Sequence, residues 1–430
     1  MYAKEVYTTK KRRVKCVLCG SFRTKKKGKI NRVEFFLRAN LKKSTQRFYC
    51  HDCKRTFVLR KRKRAKYSGD LFFEIVKRHI EDRFSYRVIA KRLQETTHSF
   101  ISTYTIFNYV KIASLNSLRL IDILKRLDPS LTGFLHLDGK YIKLKGQHGH
   151  QFVLFIAQDS NGLPIHQTIM EGENRKAVEE FLEQIQTKLN YPFKGIISDM
   201  QENIIAAIHD KMLGIPHQFC LTHILRNIDE ITGYRHYYTQ MVKLIRRLRS
   251  LQSVFVYPYE HKTKQLYREL RNIKFRIKET KSRYKTALSL RRRLRIYVLS
   301  DNPYKVNYRI ALLRKMAVKF SDQKKIKTFI NSLIEYKDNI FCHLKHKFMP
   351  YTNNLLENLI RQYERRLKTI EGFGSDLKAI NGYLNLMGIC HCFKPYTDCR
   401  EHNKYKNGKS PLQIAGVSTA ALDWVKIALK

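Results

Sequence analysis

The sequence predicts an α/β protein built in modules, and three observations predict it. Two Cys-x-x-Cys pairs lie in the most basic stretch, at the N-terminal end. From residue 132 onward, short β-rich apolar runs alternate with helical periods. Residues 224–348 then turn wholly helical before a last helix-forming segment completes the α/β pattern.

Composition bounds what such a chain can be. Its 430 residues suit two to four domains, and 43% hydrophobic content supports real cores. Lys+Arg is 85 against Asp+Glu 36, a formal charge of +49. So much like charge opposes compaction unless a polyanion neutralises it, which points to nucleic acid. The charge is spread along the chain rather than along one amphipathic helix, which disfavours a membrane-surface role. No run approaches ~20 apolar residues, so no membrane-spanning helix is expected. MYAKEVYTTKKRR is followed by no apolar segment of signal-peptide type. Nine cysteines, an odd number, do not suit a secreted disulfide framework, so a reducing cytoplasmic setting is expected.

Residues 1–66 carry 24 Lys/Arg against 3 Asp/Glu. Cys16 and Cys19 form one knuckle, Cys50 and Cys53 the other, with 30 residues between them. Each knuckle can wrap one side of a metal, and two complete a tetrahedral thiolate site for Zn²⁺. A zinc ribbon is therefore expected; two unrelated buried cysteine pairs are the plain alternative. His51 is read as a solvated neighbour. The run 60–66, with Arg62, Lys63 and Arg64, reads as a basic linker along phosphates.

Residues 67–127 have helical spacing. DLFFEIVKRHIEDRF is followed by Ser85, a candidate cap for YRVIAKRLQET, and then by TYTIFNYVKIASL. Two short helices with a brief join suit a helix-turn-helix, whose second helix would present Thr103, Tyr104, Thr105 and Asn108 to a DNA groove. An ordinary three-helix packing module has the same pattern.

Residues 128–223 read as three antiparallel strands, a helix, a strand, a helix and a short strand. They are GFLHLDGKYIKLK, HQFVLFIAQD, LPIHQTIME, ENRKAVEEFLEQIQTKLN, FKGIISD, ENIIAAIHDKML and HQFC. The order β-β-β-α-β-α-β is that of a ribonuclease-H-like fold, with the first and fourth strands as neighbours. Residues 224–348 are expected to be an all-helical insertion, and 349–430 to supply the last part of the core.

Asp138 interrupts one apolar run and Asp199 ends another. An unpaired carboxylate inside such a run is costly, which lifts both above the ordinary turn or cap residue. Asp159, in the Asp159-Ser160-Asn161-Gly162 turn, has that ordinary reading. Glu357 lies in a helical segment with Asn354 and Arg361 on its face and Arg365 one turn further. Three such acids suit a pair of Mg²⁺ (or Mn²⁺) ions for phosphoryl transfer: Asp138 bridging, Asp199 holding one and Glu357 the other. Asn354 would orient a carboxylate or a metal-bound water, and Arg361 or Arg365 would hold a phosphate. Cys220 and His223 form a Cys-x-x-His after the last strand; His223 is read either as a neighbour of the acids or as a locally packed helix-start residue.

LHLDGKYIKL, IISDMQENI, FCLTHILRN, TNNLLENLIRQYERRLKTIEGF and the ending GKSPLQIAG together resemble DDE transposases of prokaryotic insertion sequences, in the group related to Mutator-like elements. The resemblance spans roughly residues 130–416. It implies a core interrupted between Asp199 and Glu357, which are 158 residues apart. It also implies binding of terminal inverted repeats, hydrolysis to a 3′-hydroxyl, and attack of that hydroxyl on target DNA. A dimer or larger homo-oligomer on DNA, nucleoid-associated and without a small-molecule substrate, follows. A DNA-binding regulator descended from such an enzyme, without activity, is the other reading. The one tryptophan, Trp424, lies far from the insertion in sequence.

Overall fold

The computed structural model describes residues 14–35, 40–59, 69–97, 101–142, 152–172, 174–254, 264–369 and 376–429. The chain divides into two compact units, residues 1–117 with 425–430, and residues 118–424. The whole is a mixed α/β structure.

In the first unit, strands β1 (Thr24–Phe35), β2 (Asn40–Cys50) and β3 (Thr56–Val58) form an antiparallel sheet in the order β1-β2-β3. Lys25, Lys26, Lys27 and Lys29 of β1 are exposed, so this half of the strand lacks apolar alternation; the ladder from Thr24↔Cys50 to Phe35↔Asn40 makes it a strand. Its register shifts between Lys26 and Lys29, where Gly28 takes a φ of +70° that a bulge there requires. Helices α1 (Gly69–Ile80), α2 (Tyr86–Thr97) and α3 (Thr103–Asn116) pack on one another through Leu71, Ile75, Ile89, Leu93, Ile106 and Val110, all fully buried. Ser85 Oγ accepts the Val88 N–H and so caps α2; Ser102 Oγ does the same for α3 through the Thr105 N–H.

The second unit opens with α4 (Leu120–Leu127), which buries Leu120, Ile121, Ile123 and Leu124 against α5 and β6. Its sheet contains β4 (Phe134–Ile142), β5 (Phe152–Asp159), β6 (Pro164–Glu171), β7 (Gly195–Ser198) and β8 (His217–Phe219), in the order β6-β5-β4-β7-β8. The first three strands run antiparallel, while β7 lies parallel to β4 and β8 parallel to β7. Every residue of β5 is buried, as its unbroken apolar run demands of a strand covered on both faces. Helices α5 (Arg175–Leu189) and α6 (Glu202–Lys211) pack together, and Phe181 of α5 meets Phe155 edge-on at 4.9 Å.

Beyond β8 come α7 (Leu221–Ile231), α8 (Tyr234–Val254), α9 (Lys264–Val298), α10 (Pro303–Lys319), α11 (Lys324–Glu335), α12 (Lys337–Ile340) and α13 (Cys342–Lys345). The described residues between β8 and residue 348 contain no strand. One apolar cluster runs from Phe219 and Ile224 through Leu294, Tyr297 and Leu313 to Ile330 and Phe341, tying these helices to the end of the sheet. Helix α14 (Asn354–Thr369) covers the other sheet face from α5: Tyr363 donates to Gln167 Oε1, whereas the neighbouring His166 stacks on Phe181. Helix α15 (Leu377–Phe393) packs on β6, and Ser410 and Gln413 cap each other across the short α16 (Pro411–Ile414). Among the described residues no helix is long and apolar enough to cross a membrane.

Burial pushes the His166 imidazole down to about 4, with Lys188 and Arg119 adding repulsion. The folded value lies below the unfolded one, so the neutral ring stabilises the fold fully above pH 6.5, and that contribution is lost as pH falls toward 4. Urea denaturation at pH 7 and pH 5 will show a drop in stability that His166→Gln reduces by about 2 kcal/mol.

Candidate active site and cysteine centre

The four cysteines close on one point. Cys16 and Cys19 lie in a turn held by Gly20 N–H to Cys16 O and by Cys16 N–H to Ser21 O. Cys50 ends β2 and Cys53 follows one turn later, the Cys50 N–H bonding back to Arg55 O. Sγ–Sγ separations are 3.8 Å for Cys16–Cys53 and 3.6 Å for Cys19–Cys50, and all four sulfurs lie within 4.8 Å of one another. A tetrahedron with Zn–S of about 2.3 Å has edges of about 3.8 Å, so the set fits zinc. Within the cluster the Cys53 N–H draws the Cys50 thiol down to about 7, whereas at Cys19 the Ser21 N–H is outweighed by burial and the neighbouring thiols, which push that thiol up to about 12, so without a metal the set shares its protons unequally. His51 is exposed and outside the set, its ring edge-on to Tyr49.

The second site is built on the α14 face of the sheet. Asp138 pairs in register with Ile156, and its near neighbour His136 shares its face. Asp199 follows the last residue of β7, the strand beside β4. Glu357 sits in the first turn of α14, which packs on β4 and β5. Asp138 is 6% exposed and Glu357 7%, and Asp199 is partly buried. His223, in the first turn of α7, lies between them: its Nε2 is 3.9 Å from Asp138 Oδ2 and 3.8 Å from Glu357 Oε1. Burial lowers the His223 pKa, and the charges of Asp199 and Glu357 oppose that. Burial raises the Asp199 carboxyl, with His223 pulling the other way. The structure thus gathers all three acids and His223. Among the described residues, only the four cysteines bring three or more ligand atoms mutually within 4.8 Å; the acids stand wider, around the imidazole.

Arg226, one turn beyond His223 on α7, donates to Glu357 Oε2 at 2.5 Å, and Arg361 stands 3.4 Å from the same oxygen. Glu357 Oε1 is buried without a hydrogen-bond donor, as is His223 Nδ1. Asp159 is the opposite case. Fully buried at the far end of β5, it accepts from Thr132 N–H, Thr132 Oγ1, Tyr191 Oη and Asn161 N–H. It is a satisfied structural carboxylate.

Asn353, 0% exposed, holds the acid-bearing segments together. Its Nδ2 donates to Leu137 O at 2.9 Å, the carbonyl just before Asp138. Its Oδ1 faces His136 Nδ1 at 2.8 Å, so that nitrogen carries the proton. Its backbone N–H donates to Cys220 Sγ at 3.2 Å, and its carbonyl accepts the Glu357 N–H at 2.8 Å. Cys220 caps α7, its own N–H bound to Ser198 O beside Asp199. The Cys-x-x-His therefore works as a splice: Cys220 joins β7 to the segment before α14, and His223 enters the acid site. Asn354, singled out from the sequence, is instead exposed and accepts from Thr222 Oγ1. Arg365 is exposed two turns beyond Glu357. Sequence reading missed Asn353, Arg226 and His136, although all three stand in segments already singled out: TNNLLE, FCLTHILRN and LHLDG.

At the start of α3, Thr103 and Tyr104 are exposed, while Thr105 and Asn108 are half-buried and Thr105 Oγ1 bonds Ser102 Oγ. Arg62, Lys63 and Arg64 lie outside the described residues.

Two outcomes test these centres. Metal analysis of the purified chain will find one zinc per molecule, lost in Cys16→Ser together with the fold of residues 14–58. Asn353→Ala, which strands the His136 N–H and the Leu137 carbonyl in a buried site, will lower stability by roughly 2–4 kcal/mol in chemical denaturation.

No curated protein matches the chain. Residues 134–227 match the family model of the MULE transposase domain. The matched segment runs from β4 to α7 and takes in Asp138, Asp199, Cys220, His223 and Arg226, with Glu357 beyond it. This chain therefore carries a Mutator-like transposase domain.

Proposed function

We propose that the protein is a DNA transposase of DDE type, which cuts DNA at terminal inverted repeats and joins the freed 3′-hydroxyl to target DNA. The carrying observation is the meeting of Asp138 and Glu357 at His223, with Asp199 in electrostatic contact, inside and next to the matched domain. The sheet order, three antiparallel strands followed by two parallel ones beside the first, supports a ribonuclease-H-like core. Helices α8–α13 then constitute an insertion between the second and third acids.

The donor set suits hard cations. Glu357 Oε1 is buried with no donor, and carboxylates desolvated together need positive charge between them. Asp138, Asp199 and Glu357 would hold Mg²⁺ or Mn²⁺, and two such ions stabilise both the attacking and the leaving oxygen in a phosphoryl transfer. The protein's own part is positional. Arg226 fixes Oε2 of Glu357 and leaves Oε1 turned toward His223. The neutral imidazole that burial favours keeps a fixed cation charge out of the acid cluster. Arg361, more than half exposed, and Arg365 give the rim positive charge for the flanking phosphates. The zinc-held ribbon and the exposed Thr103 and Tyr104 at the start of α3 are read as the parts that recognise transposon ends, α2 and α3 forming a helix-turn-helix. Joining two ends calls for a dimer or larger assembly on DNA.

The test uses the purified chain, Mg²⁺ or Mn²⁺, and a labelled duplex carrying the DNA that flanks the reading frame. Wild type will nick at a repeat boundary and leave a 3′-hydroxyl. Asp138→Ala will lose roughly a hundredfold to a thousandfold or more of that rate, with DNA affinity nearly unchanged. Tight binding without cleavage by the wild type in either metal would sink the enzyme reading and favour the regulator.

A further inference from the structure

Helices α8 and α9 form an antiparallel coiled coil. On α9 the residues turned inward are Leu266, Leu270, Ile273, Ile277, Thr280, Tyr284 and Ala287, spaced alternately four and three apart. On α8 the matching set is Tyr234, Tyr237, Met241, Leu244, Leu248 and Leu251, spaced three and four. That alternation is the heptad seam of two supercoiled helices. Cross-contacts fix the direction: Arg247 meets Glu269, Tyr238 meets Tyr284, and Tyr234 lies under Arg291.

The charges on α9 are sorted about this seam. Along one flank run Arg271, Lys274, Lys278, Lys281, Lys285, Arg292 and Arg295, again three and four apart apart from one step, where Leu288 intervenes. The first six are exposed, and none has an acidic partner among the described residues. The helix's two acids are on the other flank, Glu269 paired with Arg247 and Glu279 with Arg283. Solvated charge on a long surface helix normally mixes signs and pairs at i,i+4, as that second flank does. The first flank is a pure cationic line, about 36 Å from Arg271 to Arg295. Its lower end meets Arg309 of α10, which donates to Ile296 O.

We infer that this flank of α9 is a docking rail for the phosphate backbone of duplex DNA. A line of that length spans roughly ten base pairs of duplex, at about 3.4 Å per step. The rail is outside the matched domain and apart from the acids. It takes its choice of DNA over other polyanions from the transposase reading.

The experiment compares full-length wild type, the stripe variant K274Q/K278Q/K281Q, and the equal-charge control K324Q/K325Q/K327Q on α11, whose three lysines are exposed. Binding to a random-sequence 20-bp duplex is read by anisotropy across a KCl titration. The stripe variant will bind roughly tenfold to a hundredfold more weakly near 0.15 M salt, and its log–log salt slope will shrink by roughly 2–3. The control will change less than about threefold, and K274R/K278R/K281R will restore binding. Equal losses in stripe and control variants overturn the rail, since net charge then explains both. A loss confined to duplex RNA overturns the assignment to DNA. A stripe-specific DNA loss alongside absent metal-dependent nicking keeps the rail and removes the catalytic reading, so the two fail separately.

Discussion

Bringing three carboxylates into one poorly hydrated place is the constraint on which the second unit is organised. Like charges removed from water repel and lose hydration, and no arrangement of apolar neighbours offsets that. The fold meets the cost with backbone geometry. Parallel pairing of β7 to β4 brings the end of one strand beside the middle of the next, so Asp199 and Asp138 come close without a loop to order. Glu357 enters in the first turn of α14, where the free N–H groups of a helix favour negative charge. Asn353 then ties β4 to the start of α14 and to Cys220, whose own N–H bonds Ser198 O at the end of β7. Asn353 cannot move without abandoning several partners at once.

The same sheet also holds an acid whose hydrogen bonds are fully met by the chain. Asp159 and Asp138 sit on adjacent strands, both buried. Asp159 is surrounded by donors from Thr132, Tyr191 and Asn161 and closes the start of β4 onto the β5–β6 turn. Glu357 keeps a buried oxygen with no donor. Natural structures rarely leave such an atom unmet, and under the proposed function it is the atom that would take a metal ion.

Much of this was legible in the residues. Paired cysteines gave the ribbon's metal set, since ligand spacing is a local property. The runs around Asp138 and Asp199 gave β4 and β7, and Ser85 gave the start of α2. The choice of Asn354 over Asn353 failed for a plain reason: two adjacent asparagines differ only in which way the helix start turns them, and that depends on packing against β4. Arg226 was hidden because its partner Glu357 lies 131 residues away. The lysine-rich first half of β1 carries little strand signal of its own, because its ladder, rather than its side chains, makes it a strand. The heptad in α9 stood in plain view, but thirteen basic residues in that helix masked an apolar seam interrupted by Thr280 and Arg291.

Helix α7 joins the two charge regimes. At one end His223 and Arg226 face the acids; a turn later Asp229 receives Arg291 at 2.6 Å, with Arg295 at 3.6 Å and Arg235 at 3.5 Å. His223 and Asp229 are six residues, or about 9 Å, apart along the axis. Asp229 holds Arg291 and Arg295 at the end of the cationic line of α9, while Arg226 and Arg361 pair with Glu357. Exposed lysines act through water and are screened within about 8 Å at physiological salt, whereas the buried acids act through protein and are screened far less. One short helix thus stands between an exposed, salt-sensitive cationic surface and a buried, salt-insensitive acid cluster, the two features on which the proposed rail and the proposed catalytic centre rest.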